Sequence, residues 1–253
     1  MSFDVAADSY DRFMGRYSRL LAPAMADFGG VEAGQHVLDV GCGPGALTAE
    51  LVARLGAAGV SAADPSESFV VAARERNPGV TVERASAESL PFPDDSFDAA
   101  LAQLVVHFMR DPVAGLAEMA RVTRSGGVVA ACVWDHAGGG GPLATFWAAA
   151  RQIDPHVHDE SDLAGVRKGH LVELFEAAGV RNVGVGVLTV RLEHASFEEW
   201  WEPFTGGVGP AGAFTAGLDD RQRAELRERC RALLPTEPFV VTARAWAARG
   251  RVD

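Results

Sequence analysis

Lysine is almost absent from this chain: Lys168 stands alone among 23 basic residues, the rest being arginine, a bias that reads as genome composition rather than function. Positive charge is in deficit as well. A net charge of -11 and a pI near 5.1 disfavour an extended nucleic-acid footprint, although a local basic patch is compatible with them. Cysteine is scarce: Cys42, Cys132 and Cys230 show no metal-type spacing and point to a reducing compartment. No apolar run is long enough to span a bilayer, and the first residues lack the basic and apolar regions of a leader. The expectation is a soluble cytoplasmic protein without a membrane partner.

What is present is organised around residues 36–66. Val37, Leu38 and Val40 form a short apolar run with Asp39 inside it, and Gly41, Cys42, Gly43, Pro44 and Gly45 then turn the chain. Leu47, Leu51, Val52 and Leu55 recur at helical spacing, and Gly56 is a natural stop. A parallel strand pair needs such a crossover, so the run from Val60 to Ala63, ending at Asp64, belongs beside the first strand. Glycines let a backbone approach a ligand closely, and the following helix offers unpaired N–H groups. An acidic residue about twenty positions on can accept both hydroxyls of an adenosine ribose. Dinucleotide enzymes use G-x-G-x-x-G. Here the glycines are Gly41, Gly43 and Gly45, and Asp39 would repel a pyrophosphate but suits a ligand carrying an ammonium.

The heptad Asp39-Val40-Gly41-Cys42-Gly43-Pro44-Gly45, taken with Asp64, resembles the glycine motif of class I (Rossmann-like) S-adenosylmethionine-dependent methyltransferases. The chain looks closest to the type 11-like bacterial group related to ubiquinone/menaquinone-biosynthesis methyltransferases. The resemblance implies an α/β fold: a doubly wound, seven-stranded, mostly parallel sheet with an antiparallel last strand, a helical N-terminal arm and helical insertions. It also implies S-adenosyl-L-methionine as cofactor, S-adenosyl-L-homocysteine as product, and Gly41, Cys42, Gly43, Asp64 and Pro65 in the cofactor site. A glycine turn without this cofactor is the competing reading of the same residues.

Residues 1–34 carry Tyr10, Phe13, Met14, Tyr17, Leu20, Leu21 and Met25 at helical spacing, an arm expected to pack on the domain. Similar enzymes fold such an arm over the cofactor, which implies Tyr10 and Arg16 near its carboxylate; the alternative is that both only pin the arm. Val80–Glu83 reads as the third strand. Ser86-Ala87-Glu88 after it resembles the segment that holds the adenine edge, with Ser86 where an acid is usual, and a neutral acceptor is weaker than a charged one. Residues 97–104 read as the fourth strand. Ligand crevices in open parallel sheets lie at the carboxyl ends of strands where the winding reverses, which brings Gln103 and His107 to the reacting centre. A structural histidine is the other reading of His107. Asp111 and Pro112 start a helix expected to end at Gly126-Gly127, and Val128–Trp134 reads as a buried fifth strand.

Trp134-Asp135-His136 exits on the crevice side, and Gly138–Gly141 reads either as a hinge or as a tolerated loop. The spacing predicts a strand through Val183, Val185 and Val187, a capping box at Ser196 and Glu199, a helix capped by Asp219, and a last strand from Phe239 to Trp246. The whole forms one domain, with a cofactor core over 35–135 and insertions at 137–169 and 195–237 as the expected acceptor pocket. Trp200 and Phe204 are either wall or ordinary core there. His156 and His158 have no further ligand at helpful spacing, so no metal is expected.

Methyl transfer requires orientation, and a base only where the acceptor loses a proton; His107, His136 and Asp135 are the candidates. No Asp-Pro-Pro-Tyr-like tetrad and no Pro-Cys nucleophile pair is present, which leaves a small-molecule acceptor. A nicotinamide-dependent oxidoreductase and a non-catalytic S-adenosylmethionine-binding protein are the alternatives.

Overall fold

The structure is a computed structural model and describes residues 7–253. The first six residues of the expected arm lie outside the described ones. The arm comprises α1 (Ala7–Tyr10), a π-helical turn (Asp11–Gly15) and α2 (Arg16–Gly29). The body follows as β1 (Val37–Val40), α3 (Ala46–Leu55), β2 (Val60–Asp64), α4 (Glu67–Arg76), β3 (Thr81–Arg84), β4 (Phe97–Gln103), α5 (Pro112–Val122) and β5 (Thr123–Trp134). Beyond it come α6 (Ala144–Ile153), α7 (His170–Ala177), β6 (Arg181–His194), α8 (Phe197–Trp201), α9 (Gly209–Gly217), α10 (Asp220–Leu233) and β7 (Phe239–Arg251).

The strands form one sheet in the order β3-β2-β1-β4-β5-β7-β6. Every pair is parallel except those of β7, which runs antiparallel to β5 and to β6, so the expected mostly parallel sheet with an antiparallel last strand is present. Strand alternation explains the two layers. Val37 faces Leu21 and Met25 of α2 and Leu47 and Leu51 of α3, whereas Leu38 and Val40 face Leu116 and Met119 of α5 and Phe175 of α7. A third core lies apart from the sheet. Phe146 and Trp147 of α6, Trp200 and Trp201 of α8, Phe204 in the turn after α8, and Leu226 of α10 pack together and receive Phe13 from the arm. Trp200 and Phe204 are thus core residues of a helical cap made by the two insertions, with only part of each left to line space.

Two boundaries differ from the sequence reading. Helix α5 stops at Val122, not at Gly126-Gly127, because Thr123 already pairs with Phe97 of β4 and its hydroxyl donates to the Met119 carbonyl at 2.7 Å. The glycines lie inside β5, where Gly126 (φ +75°) makes the bulge that separates the Phe97–Thr123 pair from the Ala99–Val128 pair. The last strand also runs past Trp246 to Arg251. Its pairing with β6 extends to His194 and Phe239, while β5 ends where Trp134 meets Ala245, so the β6–β7 hairpin overhangs the end of β5. No helix among the described residues is long and apolar enough to cross a membrane.

Candidate active site

The winding reverses between β1 and β4, and the glycine turn lies there. Gly41 and Cys42 N–H groups both donate to the Ala63 carbonyl, at 2.7 and 3.0 Å, which folds the turn over the end of β2. Gly43 N–H then reaches Oδ2 of Asp64 at 2.9 Å, and Ser66 N–H reaches Oδ1 at 2.8 Å. Gly43 has φ +53°, a conformation open to glycine, and no atom stands within 4 Å of where a Cβ would project. Burial raises the Asp64 pKa, and these two backbone bonds oppose it. Asp39 is buried beneath the turn, where it accepts from Thr48 Oγ1 of α3 at 2.6 Å. Burial pushes its carboxyl up to about 7 against that bond, with the charge of Asp64 adding to the rise.

The arm covers this turn. Tyr10 sits on Phe69 (ring centroids 5.3 Å) and its hydroxyl is 3.5 Å from Ser18. Burial raises its pKa against the Ser18 hydrogen bond, and the Asp64 and Asp11 charges add to the rise. Pro65 is exposed at the β2 exit, and Ala85 N–H donates to the Asp64 carbonyl, so the segment beginning at Ser86 starts beside the turn. Gln103 at the end of β4 donates from Nε2 to the Ser18 carbonyl at 3.0 Å. Leu104, immediately after it, has φ +64°, a strained position for a leucine and one typical of functional clefts.

Four buried side-chain atoms have no hydrogen-bond partner among the described residues: Gln103 Oε1, His107 Nδ1, Trp134 Nε1 and His194 Nδ1. Gln103, Trp134 and His194 are the last residues of β4, β5 and β6, and His107 lies in the turn after β4. Since β6 runs parallel to β5, all four stand at the carboxyl edge of the sheet. An orphaned buried polar group costs about 1–3 kcal/mol, so their shared location marks a surface built to meet a ligand.

Several expected site residues are committed elsewhere. Asp135 is fully buried and accepts from Arg244, Trp246 and Gly138, which leaves it a structural anchor rather than a free base. The glycine run after it is a wrapping rather than a hinge: Gly140 and Gly141 N–H groups bond the Asp135 carbonyl, and a Cβ on Gly140 would stand 2.6 Å from Asp135 Oδ2. Arg16 turns away from the glycine motif to pair with Glu199 at 2.5 Å, because the arm's next turn faces β6 and α8. Glu88 accepts from the Arg110 and Asp111 N–H groups and from Ser86, so it holds the loop before α5 and draws the Ser86 hydroxyl with it, while Ala87 is buried nearby. Cys42 is buried, with its sulfur 3.4 Å from the Gly43 carbonyl.

His107 and His136 do come together, with ring centroids 6.0 Å apart, and burial drives both pKa values down, His136 to about 4. Both rings are neutral at pH 7. His156 and His158 are exposed, and no cluster among the described residues could hold a metal ion. Trp134, Tyr17, Ser18, Thr48 and His194 join the candidate site without a sequence motif of their own; the one available signal was the position of Trp134 and His194 at strand ends.

Residues 38–131 match the family model described as a methyltransferase domain. A ubiquinone/menaquinone biosynthesis C-methyltransferase from Bdellovibrio bacteriovorus is 33% identical over 136 residues, covering 50% of this chain and 57% of the relative. The chain spans about half the length of the curated relatives it matches. Among solved structures, the YcgJ protein from Bacillus subtilis aligns over 93% of this chain and 97% of its own at 20% identity and a TM-score of 0.57. A geranyl diphosphate C-methyltransferase from Streptomyces coelicolor, solved with Mg2+, geranyl diphosphate and S-adenosyl-L-homocysteine, aligns over 91% of this chain and 78% of its own at 14% identity and a TM-score of 0.53. These last two likenesses concern the fold. The glycine turn and Asp64 both lie inside the matched segment, and residues 38–131 are thus similar to a methyltransferase domain.

Proposed function

We propose that the protein transfers a methyl group from S-adenosyl-L-methionine to a small-molecule acceptor by direct in-line displacement. The observation that carries this reading is the Asp64 carboxylate, buried at the tip of β2 and held 2.9 Å from the Gly43 N–H across an open glycine turn. Each carboxylate oxygen keeps lone pairs beyond the backbone bond it accepts, as two vicinal ribose hydroxyls require. The rest of the donor set fits the same ligand: Asp39 lies close to the turn for an ammonium, and Gln103 Oε1 is a buried acceptor in need of a donor.

The cofactor, when bound, supplies an activated methyl electrophile, so no covalent protein intermediate is needed. This chain's part is to orient and to exclude water. Tyr10 and α2 close the crevice from above, Gln103 ties that arm to β4, and orientation of this kind can contribute about 7–11 kcal/mol. His107 and His136, neutral at pH 7, can accept a proton from an acceptor that must lose one. The test is calorimetric titration with S-adenosyl-L-methionine, S-adenosyl-L-homocysteine and NADH. Micromolar binding of the first two and none of NADH is expected; selective NADH binding would overturn the reading.

A further inference from the structure

Two buried carboxyl groups stand on one face of the sheet without a cation between them. Asp39 is in register with Ala62, so Asp64, two residues further along β2, projects to the same side one pleat away. Both are buried, and no cationic side chain among the described residues acts on either. Like charges so placed in a dry site disfavour ionisation of the second acid once the first has lost its proton.

The two acids are not equivalent. Asp64 receives two backbone N–H groups, from Gly43 and Ser66, and both favour its ionised form. Asp39 receives the hydroxyl of Thr48, the third residue of α3, at Oδ2 and 2.6 Å; Thr48 is fully buried. Asp39 is therefore the acid that keeps a proton in the free protein. Burial and the Asp64 charge push its pKa up to about 7, while Thr48 pulls the other way. The remaining titratable groups around the pair are uncharged at pH 7: burial raises the Cys42 thiol in the turn and the Tyr10 hydroxyl of the arm. On the other side of β1, β4 brings only Leu101 into register with Asp39.

We propose that cofactor binding is proton-linked at this pair: Asp39 gives its proton to solvent when the ammonium of the cofactor arrives, and Thr48 is the positioning residue that holds the carboxyl for the exchange. The ammonium brings its own protons, so one proton leaves per molecule bound and a carboxylate–ammonium pair remains. Thr48 acts through Asp39: its hydroxyl occupies Oδ2, favours the ionised form and leaves Oδ1 for the ligand. Affinity then rises with pH up to about 7 and levels above it. The inference rests on the methyltransferase reading above.

The test is calorimetric titration of the full chain with S-adenosyl-L-homocysteine at pH 6 and pH 8, each in two buffers of unlike ionisation heat, which counts the protons released. About 0.9 proton per ligand is expected at pH 6 and about 0.1 at pH 8, with binding about tenfold tighter at pH 8. Asp39→Asn should abolish both the release and the pH dependence. Thr48→Val keeps the shape and removes the donor: release at pH 8 should rise to about half a proton and affinity at pH 6 should fall about tenfold, with Thr48→Ser restoring the parent values. Carbon NMR of the Asp39 carboxyl, protonated in the free chain at pH 6 and ionised in the complex, reads the same exchange should Asp39→Asn bind too weakly to titrate. Binding without proton release at pH 6, release that survives Asp39→Asn, a Thr48→Val protein that matches the parent, or a carboxyl already ionised in the free chain at pH 6 overturns the proposal alone. Absence of S-adenosyl-L-homocysteine binding by the parent chain overturns it together with the methyltransferase reading.

Discussion

Arg244 approaches Asp135 from the neighbouring strand with Nη2 at 2.5 Å and Nε at 2.9 Å from Oδ2, while Trp246 Nε1 and Gly138 N–H bond the other oxygen. The pair joins β5 to β7 at the rim of the crevice and explains two of the glycines that follow, Gly138 and Gly140, where a Cβ would collide with the Asp135 carboxylate. Removing one partner strands a buried charge. Arg244→Met should lower stability by about 3 kcal/mol, the lower end of the range for broken buried pairs because the guanidinium is half exposed, as read by urea unfolding. Cofactor affinity of the folded fraction should be unchanged.

Asp64 has two tasks, holding the turn through Gly43 and Ser66 and offering its remaining lone pairs to a ribose. Asp64→Ala should therefore weaken S-adenosyl-L-methionine binding by about 1.5–3 kcal/mol by calorimetry, the value of charged hydrogen bonds. Unaltered affinity would remove Asp64 from the site.

Asp39 sets stability against binding. Its folded-state pKa is about 7, above the ordinary carboxylate value, so between about pH 4 and 7 the folded protein holds a proton that the unfolded chain has released. Stability from this group is present below about pH 4 and is lost as pH rises to about 7. Asp39→Asn keeps an acceptor for Thr48 and should be more stable than the parent at pH 8 by about 1–3 kcal/mol, with the difference vanishing near pH 4. The same variant should bind S-adenosyl-L-methionine more weakly, because the ammonium loses its counter-charge.

Arg16 separates arm closure from cofactor contact. Its partners are Glu199 and the Glu193 carbonyl, on the cap side. Arg16→Ala should leave S-adenosyl-L-homocysteine affinity within about twofold and change stability by no more than about 1 kcal/mol, while proteolysis within residues 7–20 quickens. A tenfold loss of affinity would return Arg16 to the cofactor site.

The glycine turn and the acidic strand tip were legible because their geometry is local: strand, turn, helix and second strand follow in sequence, and the Gly43–Asp64 contact falls within that one unit. Contacts across the fold were not. Nothing near Asp135 announces Arg244, which stands 109 positions on, and nothing near Arg16 announces Glu199, 183 positions on. Glycine pairs were ambiguous for a related reason. Gly126-Gly127 serves equally as a helix stop or as a strand bulge, and only pairing with the far end of β7 selects the second, through Gly126 N–H to the Val252 carbonyl. The aromatic insertions read as one pocket wall in the sequence, but their side chains turn mostly toward one another.

His107 and His136 provide a direct check on the crevice's dryness. Burial drives both rings neutral, and His136 beside it lowers His107 further, whereas Asp159 and Asp135 only partly offset burial at His136. An ordinary exposed histidine titrates near 6.5. Imidazole NMR of the full chain should therefore show His107 and His136 flat between about pH 5.5 and 8. A midpoint near 6.5 for His107 would mean that water reaches the floor of the crevice in the free protein. The arm would then close only on the bound cofactor, and the first-order effect of S-adenosyl-L-homocysteine would be to abolish that titration.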